Sequence, residues 1–219
     1  MPVITQYASA DLVEAIAYAG HDPADDPAWR QTGAPTQAAY GRWCRHMCGI
    51  ACLQMVLLHR DGEAPNLFQL LAGARHYRAY EKQPDGTVKG LIYAPFVQYV
   101  EDSHRMAATA HVQLGLDQLD ALLDDGRMVM ASVSKEIRRP EQTPERRGGH
   151  LVLVIGRTAD GAIVFRNPSG HRPETRSASL PRARFAEFFA ERGVSLDLHP
   201  QGAGGPRPHP RGAVRPVAS

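Results

Sequence analysis

Three cysteines lie within nine residues, at Cys44, Cys48 and Cys52, and the middle one sits where a nucleophile could be activated. Cys48 opens the run Gly49-Ile50-Ala51-Cys52-Leu53-Gln54-Met55-Val56-Leu57-Leu58, in which only Gln54 is polar. A run apolar nearly all round predicts a buried helix over residues 48–60. The first turn of a helix carries free backbone N–H groups and the positive end of the dipole, so a thiol there loses its proton more readily. The thiolate is the reactive form. Gly49 is expected to leave room for a substrate backbone. The plainer reading is that Cys48 is a small buried hydrophobe, the usual fate of a free cysteine. Cys52, one turn on along the same face, reads as core, and Cys44 as packing. With His46 the three thiols offer four possible metal donors. Thiols four apart along a buried helix and its lead-in converge poorly on one ion, so no metal or cofactor is expected.

A second cluster is Gly148-Gly149-His150-Leu151-Val152-Leu153-Val154-Ile155-Gly156. Of ten histidines, only His150 stands at the mouth of a strongly apolar segment, after two glycines that open space around its ring. A histidine so placed can take a proton from a thiol and hand it to a leaving group. The alternative is a structural histidine at a strand end. Asn167 precedes Pro168-Ser169-Gly170, and its amide can hold an imidazole in one orientation; taken alone it is an Asx-turn residue. Asp160-Gly161 is a hairpin turn signal between the two segments. A hairpin there sets the start of one strand beside the end of the next, which makes His150 and Asn167 neighbours.

The remaining elements must hold these groups in place. Residues 3–7 read as a short strand and 10–18 as a helix. Residues 21–38 are rich in Asp, Pro and Gly and read as irregular; they either cover a cleft or wrap the surface. Asn66 caps a helix through residue 74. Residues 95–102 and 116–123 read as helices, the latter stopped by Gly126, and 111–114 as extended. Residues 128–133, 151–155 and 162–165 read as strands, with 151–155 central because both of its faces are apolar. Residues 180–191 read as a helix and 194–198 as a last strand. Helices first and an antiparallel sheet second make an α+β domain over residues 1–198. Tyr77, Tyr80, Tyr93, Phe96 and Tyr99 either line a groove or fill a core. Residues 135–147 carry four arginines, a lysine and three glutamates, and form a lip over His150 or a solvated loop.

Composition narrows the functional classes. The chain has 219 residues, 43% hydrophobic and 22% charged, as in a globular protein. The formal net charge is +2, and residues 199–219, rich in Pro, Gly and Arg without an acid, account for it. That segment reads as a disordered tail. So small a charge argues against nucleic acid as a partner. No apolar run reaches the roughly 20 residues of a membrane span, and no signal peptide is visible, so no membrane partner and a cytoplasmic address are expected. Clustered, odd-numbered cysteines exclude a disulfide framework.

Met47-Cys48-Gly49-Ile50-Ala51-Cys52-Leu53-Gln54-Met55, Gly149-His150-Leu151-Val152-Leu153-Val154-Ile155-Gly156 and Val164-Phe165-Arg166-Asn167-Pro168 together resemble the papain-like cysteine peptidases. Within them, the sequence is most similar to the branch of bacterial double-glycine leader peptidases. The resemblance implies a papain-like fold, a helical N-terminal half whose buried central helix packs on an antiparallel sheet from the C-terminal half. It implies Cys48 as nucleophile, His150 as base and acid, and Asn167 as the orienting residue, where the leader peptidases often have aspartate. These enzymes usually place an oxyanion-stabilising glutamine about six residues before the cysteine, where this chain has Arg42. Either Gln6 is that glutamine, displaced by an insertion of residues 8–41, or Arg42 or Arg45 supplies positive charge instead. The backbone N–H of Cys48 is the other expected donor. The implied activity is hydrolysis of a peptide or amide through a thioester, with a small residue before the cut. Two other functions fit the same residues: transfer of the acyl group to an amine, as in an acyltransferase or amide-forming enzyme of a biosynthetic pathway, and peptide binding without catalysis. The oligomeric state stays open.

Overall fold

The computed structural model describes residues 1–198; the tail expected over 199–219 lies outside the described residues. The N-terminal half is helical. A 3-10 turn (Ala10–Leu12) leads into α1 (Val13–Tyr18), two further 3-10 turns follow, and α2 (Gln37–Trp43) starts from a cap in which the Thr36 hydroxyl accepts from the Ala39 N–H. Then come α3 (Cys48–Asp61) and α4 (Leu67–His76). A two-strand hairpin of β1 (Glu81–Lys82) and β2 (Val88–Lys89) precedes α5 (Tyr93–His104). The C-terminal half adds β3 (Ala108–His111), α6 (Leu116–Asp124), β4 (Met128–Ser134), β5 (Gly149–Arg157), β6 (Ile163–Arg166), the single turn α7 (Pro173–Arg176), β7 (Ser177–Leu180), α8 (Arg182–Phe188) and β8 (Phe189–Leu196). The six longer strands form one antiparallel sheet in the order β3-β8-β4-β5-β6-β7.

Alternation along the strands sorts the core into two layers. Met128, Met130, Leu151, Leu153, Val194 and Leu196 join α3, α4 and α5 on one face. Val129, Ala131, Val133, Val152 and Val154 meet Phe165, Phe185, Phe188 and Phe189 on the other. Helix α3 is the centre of the first layer: Ile50, Leu53, Met55 and Val56 are fully buried, each side chain contributing about 1.5–3 kcal/mol. Its uniform apolarity is that of a helix surrounded on all sides. Asn66 caps α4 as expected: its Oδ1 accepts from the Gln69 N–H while Gln69 Oε1 accepts from the Asn66 N–H, both at 2.9 Å. Gly62 stops α3 at φ +80.

Several expectations are corrected. Residues 3–7 form no strand; the Gln6 N–H instead makes a single backbone bond to the Pro168 carbonyl, 2.8 Å. The extended segment expected over 111–114 is β3, ending at His111. The helix expected over 180–191 stops at Phe188, because Phe189 enters the sheet opposite Val133. Strand β7 was not foreseen; it pairs with β6 and makes it an interior strand. Residues 21–38 wrap the helical half rather than covering the cleft, held by Asp26, whose carboxylate accepts from Ser9, Ala28 and the Tyr40 hydroxyl.

Candidate active site

Strand β5 begins in an unusual conformation. Gly148 and Gly149 have φ of +86 and +94, values that L side chains rarely adopt. The glycine pair thus serves a sharp backbone entry into the sheet. The next residue, His150, pairs with Val133 of β4 and is 4% exposed. The Asp160-Gly161 turn closes the hairpin as expected, with the Gly161 N–H donating to the Thr158 carbonyl at 2.9 Å. It returns the chain along β6 to Asn167, which is fully buried. His150 Nε2 lies 2.8 Å from Asn167 Oδ1.

Hydrogen-bond chemistry then fixes the tautomer. The Ser169 N–H meets the same Asn167 Oδ1 at 3.0 Å. A backbone N–H only donates, so the atom facing it is the amide oxygen and the amide cannot be turned over. An oxygen acceptor in turn requires the neutral imidazole to carry its proton on Nε2. Nδ1 is therefore left with its lone pair free to act as a base. The Ser169 hydroxyl adds a third contact, 3.0 Å from His150 Nε2 and 3.3 Å from Asn167 Oδ1, while accepting from Arg138 Nε at 2.7 Å.

Cys48 is half-buried at the first position of α3 and lines one cleft with His150, Gly149 and Leu151; its volume is about 520 Å³. Burial pushes the thiol pKa up, while the N–H groups of Leu151 and Gly49, the Arg138 charge and the thiol's own N–H pull it down; burial prevails. His150 is pushed down to about 3, by burial first and by Arg138 second, against the opposing pull of Asn167. Both shifts favour the uncharged forms of two groups that line the same cleft. Gly49 does not leave open space, contrary to expectation: a Cβ there would meet Leu151, Leu91 and the Tyr80 hydroxyl at 3.1 Å each. Tyr80, Phe96 and Tyr99 belong to the core, whereas Tyr93 lines the cleft.

Gln6 is 1% exposed and joins the two halves of the site without lining the cleft. Its Nε2 donates to the Cys44 carbonyl at 2.7 Å, just ahead of Cys48. Its backbone N–H holds Pro168, next to Asn167. Arg45, the rival candidate, is exposed and donates to the Ile16 carbonyl at 3.3 Å; Arg42 lies in the last turn of α2. Cys44 and Cys52 are fully buried; Cys44 is pushed up to about 12, chiefly by burial.

Sequence reasoning passed over Arg138 and Ser169. Ser169 stands two residues from Asn167 in an Asx-type turn, a pattern visible in Asn167-Pro168-Ser169-Gly170. Arg138 left no local signal within the charged stretch 135–147. It is singled out by the burial of its neighbour Ile137, which seats the 3-10 turn Lys135–Arg138 against the sheet.

No family model and no curated protein matches the sequence. Among solved structures, a C39-like peptidase from Bacillus anthracis is similar at 13% identity and a TM-score of 0.47, over 68% of this chain and 88% of that one. The peptidase domain of Streptococcus ComA, a bifunctional ABC transporter of a quorum-sensing pathway, is similar at 12% identity and a TM-score of 0.45, over 69% and 90% of the two chains. Among the described residues, no helix is long and apolar enough to cross a membrane.

Proposed function

We propose that this chain is a cysteine-dependent hydrolase of peptide or amide bonds that works through a thioester. The observation that carries the reading is the Ser169–Asn167–His150 arrangement, which bares Nδ1 of an imidazole sharing a cleft with Cys48. In the first step the Cys48 proton moves to His150 Nδ1 as Sγ attacks the carbonyl carbon. Negative charge gathers on the carbonyl oxygen. The Cys48 backbone N–H is the donor assigned to it, and Gln6, bonded to the Cys44 carbonyl outside the cleft lining, positions the segment that leads into Cys48; one such donor is worth about 10²–10³ in rate. The carbon–nitrogen bond breaks as the Nδ1 proton passes to the departing amine. Water then attacks the thioester, gives its proton to His150, and displaces the thiol, which recovers that proton.

The test is incubation of wild type and Cys48→Ala with a mass-encoded peptide library, with and without a trapping amine. Cleavage by wild type alone supports the reading, and cleavage by both forms removes the nucleophile. Products carrying the added amine without hydrolysed product would convert the hydrolase into an acyltransferase.

A further inference from the structure

The lining of the Cys48 cleft contains two cations, Lys89 and Arg192, and no aspartate or glutamate. Arg192 is there because the sheet gives up part of a ladder to bring it. Between β4 and β8, Ala131 pairs with Gly193 and Val133 with Phe189. Ser132 alone therefore faces Ala190, Glu191 and Arg192, and Glu191 takes a left-handed φ of +51. A bulge with a strained residue at a sheet position re-aims a side chain. The guanidinium lies across the entry to His150: a Cβ on Gly148 would come within 2.7 Å of Arg192 Nη2, so the missing side chain reserves its place. The Tyr93 hydroxyl interacts with both Ser132 and Arg192. The adjacent acid is drawn elsewhere, Glu191 standing 3.6 Å from Arg147. Leu91, Ile92 and Val112 supply an apolar wall, Val112 being 82% exposed.

We propose that this cleft selects peptide or amide substrates bearing a carboxylate, which Arg192 binds while Lys89 adds charge at the opening. Arg192 is thus a specificity-determining residue. The inference rests on the hydrolase reading for its reaction but not for its binding. A guanidinium pairs a carboxylate in a planar fork that a neutral amide cannot reproduce.

The test uses peptides matched as Asp against Asn and Glu against Gln at each position, each made with a free and an amidated C-terminus. The two sets separate a side-chain carboxylate from a terminal one. Wild type is expected to favour acid over amide by about 10- to 100-fold in kcat/KM, the worth of a charge-assisted hydrogen bond. Arg192→Gln should bring that preference below about 3-fold and Arg192→Glu should reverse it, with Lys89→Gln intermediate; the wild-type preference should fall with added salt. Cleavage with no preference for acids, or a preference unchanged in Arg192→Gln, overturns the carboxylate site and leaves the hydrolase standing. The same peptides are titrated onto Cys48→Ala by fluorescence anisotropy. Acid-selective binding without turnover by wild type would sink the hydrolase and keep the site, and absence of selective binding overturns the site.

Discussion

Two thiols one turn apart on the same helix meet opposite ends of one residue. Cys48 faces the Leu151 N–H, and Cys52 Sγ lies 3.9 Å from the Leu151 carbonyl oxygen. Burial raises both pKa values. The first thiol is opposed in this by three N–H groups and the Arg138 charge, and it opens into the cleft beside an imidazole. The second meets only a carbonyl oxygen and the field of the first sulfur, which raises it further. Burial raises both thiols, so Cys48 differs from Cys52 in its half-buried place at the start of the helix and in the donors aimed at its sulfur, as the proposed nucleophile requires.

The widest separation is expected in turnover. Cys48→Ala should lose more than about 10⁴-fold in kcat/KM, as removal of a triad member does, while Cys52→Ala should stay within a few-fold of wild type. Equal losses in the two variants would erase the distinction. Asn167→Ala frees the imidazole to rotate, and misplacement of that kind costs up to about 10²-fold; kcat should fall with little change in KM. If instead KM alone moved, Asn167 would belong to substrate binding.

Arg138 sharpens the comparison through pH. A cation beside His150 opposes a second positive charge there. Arg138→Gln should therefore let His150 take up a proton at higher pH, and the acid-side loss of kcat/KM should begin at higher pH than in wild type. The rate on the plateau should change only a few-fold, and an unmoved acid limb would remove Arg138 from the site. His150 also links folding to acidity. Its folded pKa of about 3 lies below the ordinary 6.5, so between those values the unfolded chain binds more protons. Stability should decline as pH falls through that window, and His150→Asn should flatten the decline in urea titrations. Last, Cys52→Ser places a hydroxyl against the Leu151 carbonyl in a dry core and should cost about 1–3 kcal/mol in the same titrations. The same change at half-buried Cys48 should cost less.

Local chemistry made much of this legible in the sequence. The apolar run after Cys48 could only be a buried helix, and Leu151 to Ile155 only an interior strand. The Asp160-Gly161 turn brought His150 to Asn167 across the hairpin. The illegible parts depend on distant partners. Residues 3–7 are rich in strand-favouring types, yet their one backbone bond to the rest of the fold is to Pro168. Phe189, Ala190 and Glu191 continue a helical pattern, but pairing with β4 outweighs propensity where a strand must close beside Val133. Arg138 reaches Ser169 from 31 residues away, a distance that no window on the sequence spans. Gly49 suggests a gap for substrate in the sequence alone, whereas side chains from Tyr80, Leu91 and Leu151 fill that gap in the fold.

The double attachment of Gln6 has a practical consequence. One amino acid clasps the lead-in of Cys48 with its amide and the turn after Asn167 with its backbone, so a tug on the first few residues reaches both sides of the proposed site together. A purification tag fused directly ahead of Met1 would pull on that clasp, and assays of this protein are better built on a tag placed elsewhere.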